Sequence, residues 1–185
     1  MTDAQAQAAE DLWGQRASRD RLARIAAMAP TIGLDPAQVR LELQCAPNPE
    51  GAWETMVSLR AIEAEDLHQR SVACAVLADI KAQRGDAAAL GLLREEALLK
   101  LKKLAKTARV VPGIKVQILP GAGAHLHDIC RAMAAEPVAT IEEELRNPRL
   151  PNPACPAKSG ALDRGYCTCR YTAWKEDWVI DRPQR

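Results

Sequence analysis

The chain contains no phenylalanine, and only 3% of its residues are aromatic. Sheet sandwiches fill their pleated faces with aromatic and β-branched side chains, so a hydrophobic content of 48% carried mainly by Ala and Leu points instead to close-packed helices. Long apolar runs are also missing: nothing approaches the roughly 20 residues that a membrane-spanning helix needs. The segment from Met1 to Trp13 has neither the basic flank nor the apolar stretch of an export signal, so we expect a cytoplasmic protein with no membrane partner. Charge of one sign does not dominate, and a formal net charge of +1 excludes a globally basic nucleic-acid coat. Gly121-Ala122-Gly123 lacks the third glycine and the Lys-Ser/Thr pair of a phosphate-binding loop, so it reads as a turn. There is no internal repeat. No residue set defines a reaction, and the expectation is a non-catalytic protein.

At 185 residues the chain is long enough for one real core. Residues 3–29 carry apolar side chains at helical spacing and stop at Pro30, and Asp35-Pro36 supplies an N-cap followed by proline at the first helical position. Val39 to Cys45 alternates apolar and polar as a strand would, although we read it as helix. A long helical stretch is expected from about Ala52 to Gln83. Arg84-Gly85-Asp86 breaks it, with Asp86 as the natural N-cap of the next helix. In that helix Leu90, Leu93, Ala97, Leu101, Leu104 and Ala108 form an amphipathic seam, so the two long helices should fold back as an antiparallel hairpin. Ile114 to Leu119, between Pro112-Gly113 and Pro120-Gly121, alternates as a strand. Its partner is either residues 39–45, the C-terminal tail or a second subunit, and strand and seam together predict a homo-oligomer. A helix over 124–135 and a capping box from Thr140 to Glu143 complete the pattern.

The fold class expected is therefore mainly α: a helical hairpin core with one or two short strands and a zinc-stabilised, loop-rich C-terminal appendage. Residues 1–48 form an N-terminal unit of two or three helices, 49–146 the hairpin core with its strand, and 147–185 a proline-rich linker and cysteine-containing tail.

Cys155, Cys167 and Cys169 fall within a segment rich in proline and glycine that has little apolar surface with which to order itself. Three thiolates are one short of a closed zinc site, and His125-Leu126-His127-Asp128-Ile129-Cys130 offers the fourth ligand. On a helix His127 and Cys130 share a face, so either completes the site more readily than His125. The alternatives are cysteines that merely punctuate a turn, or a redox pair. Glu176 and Asp128 could act as bases beside a catalytic metal, but nothing in the sequence fixes them there. Cys45, Cys74 and His68 lie on apolar helical faces and take no role.

Charge is unevenly distributed. Lys100, Lys102, Lys103, Lys106, Arg109 and Lys115 fall in a stretch without an acid, a pattern that can track phosphates. With Arg16, Arg19, Arg21, Arg24 and Arg40 of the first helices, they are the candidate DNA contacts, chief among them Arg21, Arg24, Arg40, Lys102, Lys103 and Lys106. A second class of function is docking onto a larger protein partner through Tyr171, Trp174 and Trp178 of the tail.

The order of parts over residues 20–119 resembles that of phage terminase small subunits: a two-helix unit with the Gly33-Leu34-Asp35-Pro36 turn, a loop with Trp53, a helix carrying Arg60-Ala61-Ile62-Glu63, then Gln83 to Leu90, a basic helix and a Val/Ile strand. The resemblance implies a helix-turn-helix unit that reads viral DNA, helical hairpins that build a ring, and a C-terminal part that engages an ATP-driven large subunit. This chain departs from that pattern at Pro30 and in its cysteine tail. The resulting expectation is a DNA-binding adaptor or regulator of a phage or mobile element.

The zinc expectation is open to direct measurement: native mass spectrometry should find about one zinc per chain. Apo-protein alone, with Cys155, Cys167 and Cys169 all freely alkylated, would refute it.

Overall fold

The computed structural model describes residues 20–120, 128–135, 139–152 and 169–176. A first helix, α1 (described over 20–28), tightens into a 3-10 turn, Ala29–Ile32, and is followed by α2 (Pro36–Cys45), α3 (Pro49–Glu63), α4 (Leu67–Gln83) and α5 (Ala88–Ala108). Strand β1 (Lys115–Leu119), helices α6 (Asp128–Ala135) and α7 (Ile141–Arg146) and strand β2 (Arg170–Trp174) follow. The fold is mainly α.

Local chemistry sets most of these boundaries. Pro30 and Pro36 occupy the first turns of the 3-10 element and α2, and the Asp35 carboxylate accepts from the Ala37 amide at 2.9 Å. Gly33 adopts a left-handed φ of 75°, and a Cβ there would stand 2.4 Å from Gln69 Oε1. The left-handed turn is what requires glycine, while the flexible ends of Gln69 and Arg60 would have to shift to admit a Cβ. Arg60 braces this corner by donating from Nε to the Ile32 carbonyl at 2.9 Å and from Nη2 to Gln69 Oε1 at 3.1 Å. Residues 39–45 are helical, as expected: only Val39 and Leu43 of α2 are buried, a spacing of four that a helix satisfies.

The single long helix expected from Ala52 to Gln83 is two helices. Asp66 turns its carboxylate onto the amides of His68 and Gln69, at 2.9 and 2.8 Å, and starts α4 afresh after Ala64 and Glu65. An N-cap buried in a helical pattern is a local instruction that apolar periodicity does not display. The hairpin is present, but between α4 and α5, around Gly85 with its φ of 69°. Arg70 of α4 faces Glu95 of α5, and the Ser71 hydroxyl donates to the Glu96 carbonyl at 3.5 Å. Asp86 acts one residue earlier than expected: Ala87 is the N-cap, and the Asp86 carboxylate accepts from the Ala88 amide at 2.9 Å.

Helix α5 is buried on two sides. Leu99 and the half-buried Leu92 pack into a cluster with Ile32, Leu43, Trp53, Val57 and Cys74 of the preceding helices. Ala97 and Leu101 pack into a second cluster with Val116, Ile118, Met133, Ile141, Leu150 and Tyr171, and Leu104, Ala105 and Ala108 extend that side. The seam expected to bind another subunit is therefore largely used inside the chain, although Leu90 remains 51% exposed.

The strand is paired internally too. β1 and β2 run antiparallel with Lys115 opposite Trp174, Gln117 opposite Thr172 and Leu119 opposite Arg170. On the other edge Val116 exchanges both backbone hydrogen bonds with Ala139, at 2.9 and 3.1 Å. The pairing with β2 supplies within the chain a partner for β1, from the C-terminal segment, one of the three candidates. It also carries the sheet across residue 147, the expected start of the tail, and Leu150 of the expected linker is fully buried. Among the described residues no helix is long and apolar enough to cross a membrane.

Leu101 has no exposed surface and joins α5 to the sheet cluster. Leu101→Ala should lose about 2–5 kcal/mol of unfolding free energy in a urea titration, the range for truncating a buried leucine. Val110→Ala, at a residue 82% exposed, should stay within about 0.5 kcal/mol of the parent.

Candidate nucleic-acid interface

Leu92 and Leu99 carry one face of α5 into the helical cluster, and the same face continues past that cluster toward the C-terminal end of the helix. Lys102, Lys106 and Arg109 follow one another at four and three residues, Lys103 lies three before Lys106, and all four are exposed. Among the described residues no carboxylate lies within ion-pair distance of Lys102, Lys103 or Lys106. Cations in the last turn of a helix complement its dipole, typically by about 0.3–1 kcal/mol, which accounts for Lys106 and Arg109 but not for Lys102 and Lys103. Lys100, counted in the same basic run, is engaged otherwise: its ammonium pairs with Glu96 one turn earlier on α5.

The arginines of the first helices make a weaker surface than their number promised. Over residues 20–48, Arg21, Arg24 and Arg40 are matched by Asp20, Asp35 and Glu42. Arg21 pairs with Glu50 at the start of α3, at 2.6 Å. Arg24 and Arg40 are exposed. Arg16 and Arg19 lie outside the described residues.

The two-stranded ribbon adds to the cationic end of α5. Its inner face presents Val116, Ile118 and Tyr171 to the core, and its outer face carries Lys115, Gln117 and Leu119 beside Arg170, Thr172 and Trp174. Lys115 holds its ammonium 5.9 Å from the centre of the Trp174 ring, an exposed cation–π contact worth about 0.5–1 kcal/mol.

Tyr171, expected among the docking residues, points the other way. It is 6% exposed, and its hydroxyl donates to Glu144 Oε2 at 2.8 Å while accepting from the Leu150 amide at 3.0 Å. Only the inward parity of the strand puts it there, since its neighbours Arg170 and Thr172 face outward. Trp174 is half-buried and Trp178 lies outside the described residues.

The Glu144 carboxylate is the one buried acid among the described residues, and besides Tyr171 it receives the Arg149 guanidinium at Oε1. Three separate segments thus meet on one carboxylate. Sequence reasoning missed this group. The weak signal was Glu144 at the position three after Ile141, on the inward face of α7, where an apolar residue would ordinarily stand. Nothing local indicates a tyrosine partner 27 residues away.

Of the candidate zinc ligands, Cys155, Cys167 and His127 lie outside the described residues, as does the side chain of Cys130. Cys169 is half-buried just before β2, against the sheet cluster. Among the described residues no three His, Cys, Asp or Glu side chains gather as a metal site. Cys74 packs in the helical core, where burial pushes its thiol up to about 11, so it is held as an inert thiol.

Burial, followed by the hydrogen bond to Glu144, raises the Tyr171 hydroxyl above its ordinary value of 10.0. A folded-state value above the unfolded one gives stability that is present below pH 10 and lost as pH rises past it, by up to about 1.4 kcal/mol per pH unit for one group. Cys74 adds the same sign of dependence between its ordinary 9.0 and about 11. Tyr171→Phe, which leaves the Leu150 amide and a Glu144 oxygen without this partner, should cost about 1–3 kcal/mol at pH 7 in chemical denaturation. That gap should narrow above pH 10; a constant gap would contradict the raised value.

Comparison with known proteins identifies no relative: no protein-family model, curated protein or solved structure matches this chain.

Proposed function

We propose that this protein is a non-catalytic DNA-binding adaptor or regulator that engages phosphates through the exposed end of α5. The observation that carries this reading is the group Lys102, Lys103, Lys106 and Arg109, exposed on the last turns of α5 beyond Leu99, while Ala97, Leu101, Leu104 and Ala108 commit a different side of the helix to the sheet cluster. A helix fixed in this way presents its cations without having to order itself on binding, so little conformational entropy opposes phosphate binding. The near-neutral first helices would then set position more than affinity, with Arg24 and Arg40 as their exposed cations. The order of parts that resembles terminase small subunits is compatible with such an adaptor in a phage or mobile element.

The second reading is a module that docks onto a larger protein through its tail. Trp174, half-buried on the outer face of the ribbon, favours it, and Trp178 extends the same segment. A zinc held by Cys155, Cys167 and Cys169 is compatible with either reading, as a staple for the tail.

Replacing Lys102, Lys103 and Lys106 with Gln tests the DNA reading. Exposed charge changes cost little stability, within about 0.5 kcal/mol, so a binding defect would not reflect unfolding. Filter binding at two salt concentrations should show affinity lowered uniformly across sequences, and the logarithmic salt slope flattened by about one unit for each phosphate that is no longer neutralised. Unchanged affinity and slope, or no binding by the parent protein at low salt, would favour the docking reading.

A further inference from the structure

Among the described residues, the outer face of the β1–β2 ribbon is where an aromatic ring and unspent cations stand together. Lys115 and Trp174 are directly opposite at one end of the ribbon, and Arg170 stands opposite Leu119 at the other. Gln117 and Thr172, also opposite each other, lie between them and offer hydrogen-bonding groups. Lys115 and Arg170 are exposed, and among the described residues neither has a carboxylate within ion-pair distance. The acids nearby are differently placed: Glu176 is exposed two residues beyond Trp174, and Glu143 is folded back onto the Thr140 amide and hydroxyl at the start of α7.

We propose that this face binds single-stranded nucleic acid, with Trp174 as the platform on which a base stacks and Lys115 and Arg170 as phosphate contacts. The inference rests on the reading of α5 as a phosphate-tracking surface and names the form of nucleic acid that the protein takes. An indole face can be used only by an unpaired base, because a duplex keeps its bases stacked on one another. The ammonium of Lys115 over the ring does not block the site. Base stacking on an aromatic is the stronger interaction, and the flexible lysine stem can carry the charge from the ring to the phosphate of the stacked nucleotide. α5 packs beneath the ribbon, with Ala97 and Leu101 in the cluster that holds Val116, Ile118 and Tyr171 of its inner face, so both cationic surfaces belong to one packed unit.

Fluorescence anisotropy with an oligothymidylate of about 20 nucleotides, and with a duplex of equal length, is the test. The single strand should bind more tightly than the duplex. Trp174→Leu should weaken it roughly 5- to 100-fold without changing the salt slope, and Trp174→Phe, which keeps a stacking face, should recover most of the affinity. The intrinsic tryptophan fluorescence quenched by the oligonucleotide should largely disappear in Trp174→Phe. This second readout decides the matter if Trp174→Leu does not fold. Tighter binding of the duplex, Trp174→Leu affinity equal to the parent's, or undiminished quenching in Trp174→Phe would overturn the ribbon proposal. In that event a salt slope still flattened by the Lys102, Lys103 and Lys106 changes would leave the α5 reading standing. Absence of binding to both forms at low salt would remove both.

Discussion

Everything in this fold depends on α5 being buried along two of its sides at once. Leu99 and Leu92 commit one side to the helical cluster, while Ala97 and Leu101 commit another to the sheet cluster. The helix is therefore the common wall of two small cores, built mainly on Leu, Ile and Val, with Trp53 in one and Tyr171 in the other. At about 25 cal/mol per Å² of apolar surface removed from water, each core gains from the surface that α5 buries in it. The chain has no phenylalanine with which to fill a core from one side, so Ala and Leu on several faces of one helix take that part. Beyond Leu99 the side of α5 that served the helical cluster is exposed and cationic, carrying Lys102, Lys103 and Lys106.

The second constraint is the Glu144 carboxylate. A buried carboxylate costs free energy unless its oxygens are occupied, and here Arg149 and Tyr171 occupy them. The arrangement is more specific than apolar packing would be, since a slip of β2 by one residue would turn Tyr171 to solvent and strand the carboxylate. The register of the ribbon thus follows from a charged group beneath it as well as from backbone pairing. That register in turn places Trp174 opposite Lys115 and Arg170 opposite Leu119 on the outer face. The surface we assign to nucleic acid is organised by chemistry on the buried side.

The ion pairs elsewhere play a smaller part. Glu54 receives Lys81, at 2.7 Å, and Arg84, and these hydrogen bonds hold its carboxyl below the ordinary range. They tie α3 to the end of α4 and neutralise cations that a count of charges would have offered to a ligand. Arg21 with Glu50 and Lys100 with Glu96 do likewise. Net charge says little about a surface until such pairs are subtracted, and the cations of α5 and the ribbon are among those that remain.

The sequence by itself determined the elements whose causes are local: the helical class, from Ala and Leu without Phe; the starts of α2 and α7, from Asp35-Pro36 and the Thr140–Glu143 box; the hairpin turn at Gly85; and the alternation of β1. Each is decided within a few residues, by capping, by a left-handed glycine or by side-chain period. Asp66 belongs to the same class, but continuous apolar spacing on both sides hides a cap that divides α3 from α4. Tertiary structure alone decided which strand β1 would take, how far along α5 the helical cluster would reach before its lysines are exposed, and that Tyr171 would serve a buried carboxylate. Those outcomes depend on interactions between residues far apart in the chain, such as Glu144 with Tyr171 and Val116 with Ala139. Their strength comes from excluding water around groups that carry no mark of one another in the sequence.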